Sequence, residues 1–269
     1  MSGCVTPLFV PANRLDLLPK AVASGADAII VDCEDSIPPV GKEKARLALR
    51  NVELAGCPVI VRINGIETPW FGEDVEAVER LEVTGVLLPK AEPSQDLYDL
   101  RTRLPERIRL LLLIETARGI ASARKLGDAP GVCRLAFGSV DYAADLGCDH
   151  EAEALAAARA EIVLASRLAG LAAPLDGVTL AIKDPVEVTR DAERARRLGF
   201  GGKLCVHPAQ IEPVRAAFAP RPAEVAQAER ILAADKAGAT AVAGIMVDEP
   251  VRRRARAILT ANQARQRLT

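Results

Sequence analysis

The sequence is poor in aromatic residues, and this shortage excludes some classes of protein. Aromatic residues make up 3% of the 269 residues, whereas hydrophobic residues make up 49%. The core must therefore consist of Ala, Val, Leu and Ile, which suits helices packed on parallel strands better than an aromatic-rich β-sandwich. Positive charge is not in excess either. The formal net charge of −1 supplies no field that would collect nucleic acid or acidic membranes.

Cysteine pairs and long apolar runs are also missing. The six cysteines are scattered without a C-x-x-C motif, which is typical of reduced, mostly buried thiols in a cytoplasmic protein. No segment reaches the ~20 apolar residues that a membrane span requires. The N-terminal stretch MSGCVTPLFVPANRLD shows no basic start followed by an apolar region. We therefore expect a soluble, unprocessed, cytoplasmic protein.

Short apolar runs recur along the chain, and each is followed by a longer helical pattern. Near-continuous apolar strands that alternate with helices indicate a parallel sheet covered on both faces. The length and the number of units predict an α/β fold, a (β/α)8 TIM barrel, over a doubly wound open sheet, since no G-x-G-x-x-G turn follows the first strand. The eight predicted strands are TPLFVPA (6–12), DAIIVDCED (27–35), CPVIVRIN (57–64), TGVLLPKAE (84–92), RLLLLIETA (109–117), VCRLAFGSVD (132–141), LDGVTLAI (175–182) and GKLCVHP (202–208).

The pattern changes after the eighth unit. Pro220 and Pro222 mark a joint, so we predict a catalytic barrel over residues 1–219 and a small helical extension over residues 220–269. A tail of this size is too small to hold a core of its own. We expect it to pack on the barrel or on an adjacent subunit.

Polar residues follow nearly every apolar run. In a (β/α)8 barrel these positions form the end at which catalytic groups lie. Each of them taken singly has a structural explanation, but the whole ring is difficult to explain by chance. The residues that form this ring are Asp32, Glu34 and Asp35 after strand two, Arg62 and Asn64 after strand three, Lys90 and Glu92 after strand four, Glu115 after strand five, Asp141 after strand six and His207 after strand eight.

Glu115 and Asp141 follow consecutive strands, which predicts that their carboxylates lie side by side. A buried carboxylate needs a positive partner, and two close carboxylates raise each other's pKa unless a cation lies between them. With two histidines and no cysteine pair, the site offers oxygen ligands, which favours Mg²⁺ over Zn²⁺ or copper. General acid and base catalysis without a metal remains open. Arg62 is suited to a carboxylate or an enolate oxygen, and also to a salt bridge with a carboxylate of strand two. His207 is equally a candidate base and a structural hydrogen-bonding residue.

Eight motifs stand out along nearly the whole chain: LFVPANR, VDCEDSI, VRING, LLPKAE, LIETARGI, AFGSVDYAADLG, CVHPAQI and GIMVDEP. Together, and in this order, they resemble the citrate lyase beta subunit family of the phosphoenolpyruvate/pyruvate barrel superfamily. The stretch before Asp248 departs from the family's Gly-Ala-Phe, since AGATAVAGIMVD contains no aromatic residue.

The resemblance implies roles for individual residues. Glu115 and Asp141 resemble the two Mg²⁺ ligands of the family. Arg62 resembles the arginine that binds the carboxylate or carbonyl of the substrate, and the resemblance places Glu115 against that substrate as well. Glu34 and Asp35 resemble carboxylates that hold the metal's waters and transfer protons. Asp248 resembles an acid/base that enters the active site of an adjacent subunit, so a homotrimer or homohexamer is expected.

The activity implied is that of a Mg²⁺-dependent carbon–carbon lyase acting on a 3-hydroxy-3-carboxyacyl-CoA thioester, in either direction. The products are a 2-oxo acid, such as oxaloacetate, and an acetyl thioester. The citryl, citramalyl, malyl and hydroxymethylglutaryl thioesters all remain open as substrates. Three other functions remain: a citrate lyase beta subunit acting on an acyl-carrier-protein thioester, an aldolase for free 2-oxo acids, and an inactive barrel that serves as a binding or scaffold subunit.

Overall fold

A computed structural model describes residues 3–50, 56–236, 241–242 and 245–266 of the chain. The chain divides into two compact units, Met1–Ala217 and Phe218–Thr269. None of the helices within these described ranges is long and apolar enough to cross a membrane.

The first unit is a (β/α)8 barrel, which confirms the predicted fold. Its strands pair in parallel in the order of the chain, and the amide of Phe9 bonds to the carbonyl of Cys205 at 2.9 Å, which joins the first strand to the segment after the eighth. The strands are β1 (Pro7–Pro11), β2 (Ala28–Asp32), β3 (Val59–Arg62), β4 (Gly85–Leu88), β5 (Arg109–Ile114), β6 (Val132–Phe137), β7 (Ala172–Asp176) and β8 (Gly202–Lys203).

Helices follow the strands and cover the outside of the sheet, as the alternation of patterns predicted. Short 3-10 helices span Leu15–Leu17, Pro39–Gly41 and Pro208–Gln210. The α-helices of this unit are α1 (Leu18–Ala23), α2 (Lys42–Leu49), α3 (Phe71–Glu79), α4 (Gln95–Arg103), α5 (Ala117–Ala121), α6 (Ala123–Gly127), α7 (Ser139–Leu146), α8 (Ala156–Leu168), α9 (Pro185–Leu198) and α10 (Ile211–Phe218), whose last residue opens the second unit.

The barrel interior is filled by one inward-facing set of aliphatic side chains. Because side chains alternate between the two faces of a strand, every second residue points inward. This interior cluster comprises Cys4, Ala28, Ile30, Ile60, Leu87, Leu111, Leu113, Ala136, Leu175 and Leu204. It closes the barrel below the catalytic end, so the site above it has an apolar floor.

The seventh strand lies earlier than the sequence predicted. The predicted run begins at 175, whereas β7 spans Ala172–Asp176, with Ala172 opposite Arg134 of β6 and Leu175 opposite Ala136. The apolar residues that follow belong to a loop in which Leu180 and Ile182 are exposed by 59% and 45%. Apolar character therefore misled the prediction here, because these side chains are not buried in the sheet.

The second unit contains two helices and a short hairpin. Helix α11 (Pro222–Lys236) packs against α12 (Glu249–Gln266), and β9 (Ala241–Val242) pairs antiparallel with β10 (Ile245–Met246). Ala228, Ile231, Val247 and Ala255 form a small buried cluster of their own, which the sequence analysis did not expect. Residues 237–240 and 243–244, within the stretch that departs from the family pattern, lie outside the described residues.

Candidate active site

A cavity of about 420 Å³ lies at the carboxyl ends of the barrel strands. This is the end of the barrel at which the sequence analysis placed the chemistry. Five residues of the predicted ring line it directly, and a sixth, Glu34, pairs with Arg62. The five cavity-lining residues are Asp32, Asp35, Arg62, Glu115 and Asp141.

Glu115 follows β5 directly and is 1% exposed. The backbone amide of Lys90 donates a hydrogen bond to its Oε1 at 2.8 Å, and the Lys90 ammonium lies 4.0 Å from the same oxygen. The carboxylate presses against Gly138, where an added Cβ would lie 2.2 Å from Oε2, so only glycine fits. Burial, together with the charges of Glu34 and Asp141, raises the pKa of Glu115 to about 8.

Asp141 does not end a strand, contrary to the sequence prediction. Strand β6 stops at Phe137, and Asp141 lies in the first turn of α7, where it is half-buried. The turn at Gly138 starts the helix early, so the residues from Ser139 onward are helical. Asp141 nevertheless lines the same cavity as Glu115, and its charge contributes to the raised pKa of Glu115. Both members of the predicted pair therefore line one cavity, Asp141 from a helix rather than from the end of a strand.

Arg62 ends β3 directly opposite Asp32 in the parallel register. Its Nε and Nη2 donate to the two oxygens of Asp32 at 2.6 and 2.8 Å, a bidentate pair in which both partners are buried. Burial would lower the pKa of Arg62, but its bonds to Asp32 and the nearby carboxylates raise it. Burial would raise the pKa of Asp32, but its bonds to Arg62 hold that pKa below its usual value. The salt bridge considered in the sequence analysis therefore exists.

The third nitrogen of Arg62 points toward the remaining carboxylates. Nη1 donates to Oδ2 of Asp35 at 3.3 Å, and it lies 3.0 Å from Oε2 of Glu34 without hydrogen-bond geometry. The guanidinium also lies 5.0 Å from the ring centre of Phe9, within cation–π range. Nε and Nη2 of Arg62 are thus fixed by Asp32, whereas Nη1 is the donor that can turn toward a ligand.

Lys90 is the site residue to which sequence reasoning gave no role. Its ammonium donates to Oε1 of Glu34 at 2.5 Å, and its backbone has a φ of 47°, in the left-handed region that non-glycine residues rarely adopt. Burial raises the pKa of Glu34, and the hydrogen bond to Glu34 raises the pKa of Lys90, although burial opposes it. The signal in the sequence that could have identified Lys90 was its position after β4.

Two further predicted residues have structural roles in the described chain. Nδ1 of His207 accepts a hydrogen bond from the amide of Ala209 at 3.1 Å, so this ring caps a 3-10 helix. Asp248, in the second unit, accepts a hydrogen bond from the amide of Val251 at 3.1 Å and so caps α12. The carboxylate of Asp248 retains other lone pairs while it caps the helix, so this hydrogen bond is compatible with a catalytic role.

The donor set fits Mg²⁺. Glu115 and Asp141 offer only oxygen ligands, and Mg²⁺ commonly takes one or two carboxylates and leaves its other positions to waters and substrate. Among the described residues no group of three or more His, Cys, Asp or Glu side chains is placed to hold a metal. A divalent cation beside Glu115 would also stabilise the ionised form that burial disfavours.

Comparison with known proteins gives a consistent result. The profile of the family described as HpcH/HpaI aldolase/citrate lyase matches residues 6–208. A citrate lyase subunit beta-like protein of Deinococcus radiodurans is 37% identical over 94% of this chain and 95% of its own length. A (3S)-malyl-CoA thioesterase of Cereibacter sphaeroides is 35% identical over 84% of this chain and 81% of its own length.

A solved structure shows the same architecture. The CitE protein of Mycobacterium tuberculosis, in complex with magnesium, acetoacetate and coenzyme A, superposes with a TM-score of 0.88 at 33% identity. The match covers 98% of this chain and 100% of that one. A magnesium ion is thus present in a relative with the same fold.

Proposed function

Because the chain belongs to the HpcH/HpaI aldolase/citrate lyase family, we propose that it is a Mg²⁺-dependent lyase that cleaves, or forms, the carbon–carbon bond of a 3-hydroxyacyl-CoA thioester. The observation that carries the proposal is the pair of carboxylates, Glu115 and Asp141, that share one cavity with Arg62. Such a cavity suits a substrate with a carboxylate beside a hydroxyl or carbonyl oxygen.

In this proposal each residue has a separate task. Glu115 and Asp141 would hold Mg²⁺, which when bound supplies a Lewis acid for the carboxylate and adjacent oxygen of the 2-oxo acid part. Arg62, anchored on Asp32, would donate from Nη1 to an oxygen that gains negative charge. Glu34 and Asp35 would transfer the proton that leaves the substrate hydroxyl.

The bond changes balance. The hydroxyl oxygen loses its proton, its electron pair forms the new carbonyl, and the carbon–carbon bond breaks toward the thioester as an enolate. Protonation of that carbon gives the acetyl thioester. Asp248 of an adjacent subunit would supply this proton, which would give the small second unit a function in a homotrimer or homohexamer.

A panel of thioesters tests the proposal directly. We expect Mg²⁺-dependent release of a 2-oxo acid from at least one of citryl-, citramalyl- and malyl-CoA, and complete loss of release on addition of EDTA. Hydroxymethylglutaryl-CoA differs from these substrates, because its cleavage would give a 3-oxo acid, which needs a separate assay. Release that is unaffected by EDTA, or absent with every thioester, would contradict the proposal.

Asp248→Asn should reduce thioester cleavage by roughly 10²-fold, the usual contribution of one general acid. Binding of Mg²⁺ should be unchanged, because Asp248 would act on the substrate carbon rather than on the metal. Glu249→Gln is the matched control, since Glu249 is an exposed neighbour that pairs with Arg256. An aldolase for free 2-oxo acids predicts instead that Asp248→Asn remains fully active.

The action of Asp248 between subunits can be tested with mixed oligomers. Asp248→Asn and Glu115→Gln chains, each strongly impaired alone, should regain part of the activity when they are unfolded together and reassembled. In such an oligomer, an intact barrel of one chain meets an intact Asp248 of another. Mixtures that stay inactive, although mixed oligomers form, would place Asp248 outside the partner's site.

A further inference from the structure

The active-site cavity has two chemically different halves. All the charged side chains of the lining end or follow β2, β3, β5 or β6, where Leu113, Phe137 and Val140 accompany them, whereas β1 and the segments after β7 and β8 supply no charged side chain. The apolar half includes Phe9, Val178, Leu204 and Val206. Phe9 and Val178 are half-buried and pack against the interior cluster, and Leu204 is 3% exposed. We call these four residues the apolar wall.

Arg62 is the single cation among the described residues that line the cavity, and its guanidinium lies 5.0 Å from the ring centre of Phe9. Its charge is already offset by Asp32, Asp35 and Glu34, which surround it in the charged half. A metal held by Glu115 and Asp141 would also lie in the charged half.

Lys203 is the nearest cation along the chain to the apolar wall, but its ammonium is engaged elsewhere. The side chain is 1% exposed and donates to the carbonyl of Gly177 at 2.6 Å. It also pairs with Asp191 at 2.9 Å. The Lys203 ammonium is therefore not available to a ligand in the cavity. A second carboxylate against the apolar wall would meet only Arg62, whose charge three carboxylates already offset.

We infer that the enzyme selects substrates whose hydroxyl-bearing carbon carries a small uncharged group. With the oxo-acid carboxylate held in the charged half, the remaining substituent of that carbon would lie against the apolar wall. Hydrogen or methyl fits there, as in malyl-CoA and citramalyl-CoA, which release glyoxylate and pyruvate. The carboxymethyl arm of citryl-CoA would lose hydration without gaining a cation that is not already paired. This inference rests on the proposed function.

Two measurements test the selectivity. The kcat/KM for citramalyl-CoA should exceed that for citryl-CoA by at least about ten-fold. A misplaced charged group should lower kcat/KM at least as much as one extra or missing methylene group does in a specificity pocket. In calorimetric titrations with Mg²⁺, pyruvate should bind more tightly than oxaloacetate. Equal or better cleavage of citryl-CoA would overturn the inference while leaving the lyase function intact. If no thioester is cleaved but pyruvate is still preferred, the proposed function fails and the selectivity of the wall stands.

A substitution in the apolar wall separates selectivity from general damage. Val206 is 40% exposed at the rim, so a longer side chain there is compatible with folding. Val206→Arg should shift the ratio of kcat/KM values toward citryl-CoA by about ten-fold or more, because it supplies the missing cation. Val206→Met, which adds length without charge, should keep the preference for citramalyl-CoA. An unchanged ratio in Val206→Arg would show that the substituent does not lie against this wall.

Discussion

Glu115→Gln is expected to lower Mg²⁺-dependent turnover by roughly 10³-fold or more, because it removes one of two carboxylates that would hold the metal. The amide keeps the size of the side chain and can still accept the hydrogen bond from the amide of Lys90. The fold should therefore persist. Turnover with a saturating thioester and calorimetry with Mg²⁺ are the measurements, and Glu92→Gln is the control, since Glu92 lies at the same end of the barrel without lining the cavity.

The same variant should be at least as stable as the parent protein in the absence of metal. The pKa of Glu115 is raised from 4.5 to about 8, so the folded state disfavours its charge. That destabilisation is absent below the ordinary pKa and grows as the pH rises toward about 8. Glutamine removes it. A variant that loses both activity and stability would indicate that Glu115 is needed for the fold rather than for the metal.

Metal affinity in the parent protein should depend on pH for the same reason. A proton on Glu115 competes with Mg²⁺, so apparent affinity should rise by up to about ten-fold per unit between about pH 6 and about pH 8, and the rise should be absent in Glu115→Gln. A pH-independent affinity in the parent would contradict Glu115 as a ligand.

The fold was predictable because burial on both faces imposes a simple pattern. Runs such as LLLLI before Glu115 are apolar throughout, and such a run between helical patterns has few alternatives in an α/β protein. The rule failed at Val178–Ile182, where apolar side chains line a ligand cavity or face solvent. An apolar run is therefore not by itself evidence of a strand, because its side chains can also line a cavity or face solvent.

Several residues that line the cavity were predictable from their positions after the strands, but their contacts were not. The ends of β2 and β3 could be predicted from the sequence, yet the pairing of Asp32 with Arg62 depends on the register between these strands. The salt bridge from Lys90 to Glu34 crosses from the end of β4 to the segment after β2. Such cross-strand distances depend on the stagger of the barrel, which no local pattern encodes.

Arg62→Met is expected to lower turnover by roughly 10²-fold or more, if Nη1 donates to the oxygen that gains charge in the transition state. This substitution also leaves Asp32, which is 3% exposed, without its bidentate partner. Breaking a buried ion pair typically costs about 3–5 kcal/mol, so a loss of activity alone would not separate chemistry from folding.

The double variant Asp32→Asn/Arg62→Met separates the two effects. Removing the orphaned charge should restore most of the free energy of unfolding, since a buried pair replaced as a whole is often neutral. Turnover should stay low, because the donor is still missing. Arg124→Met is the matched control, since Arg124 makes the same bidentate contact with Glu161 on the surface, where such pairs contribute little. A double variant that recovers turnover together with stability would assign Arg62 to the fold, and the donor to the enolate would then have to come from another residue.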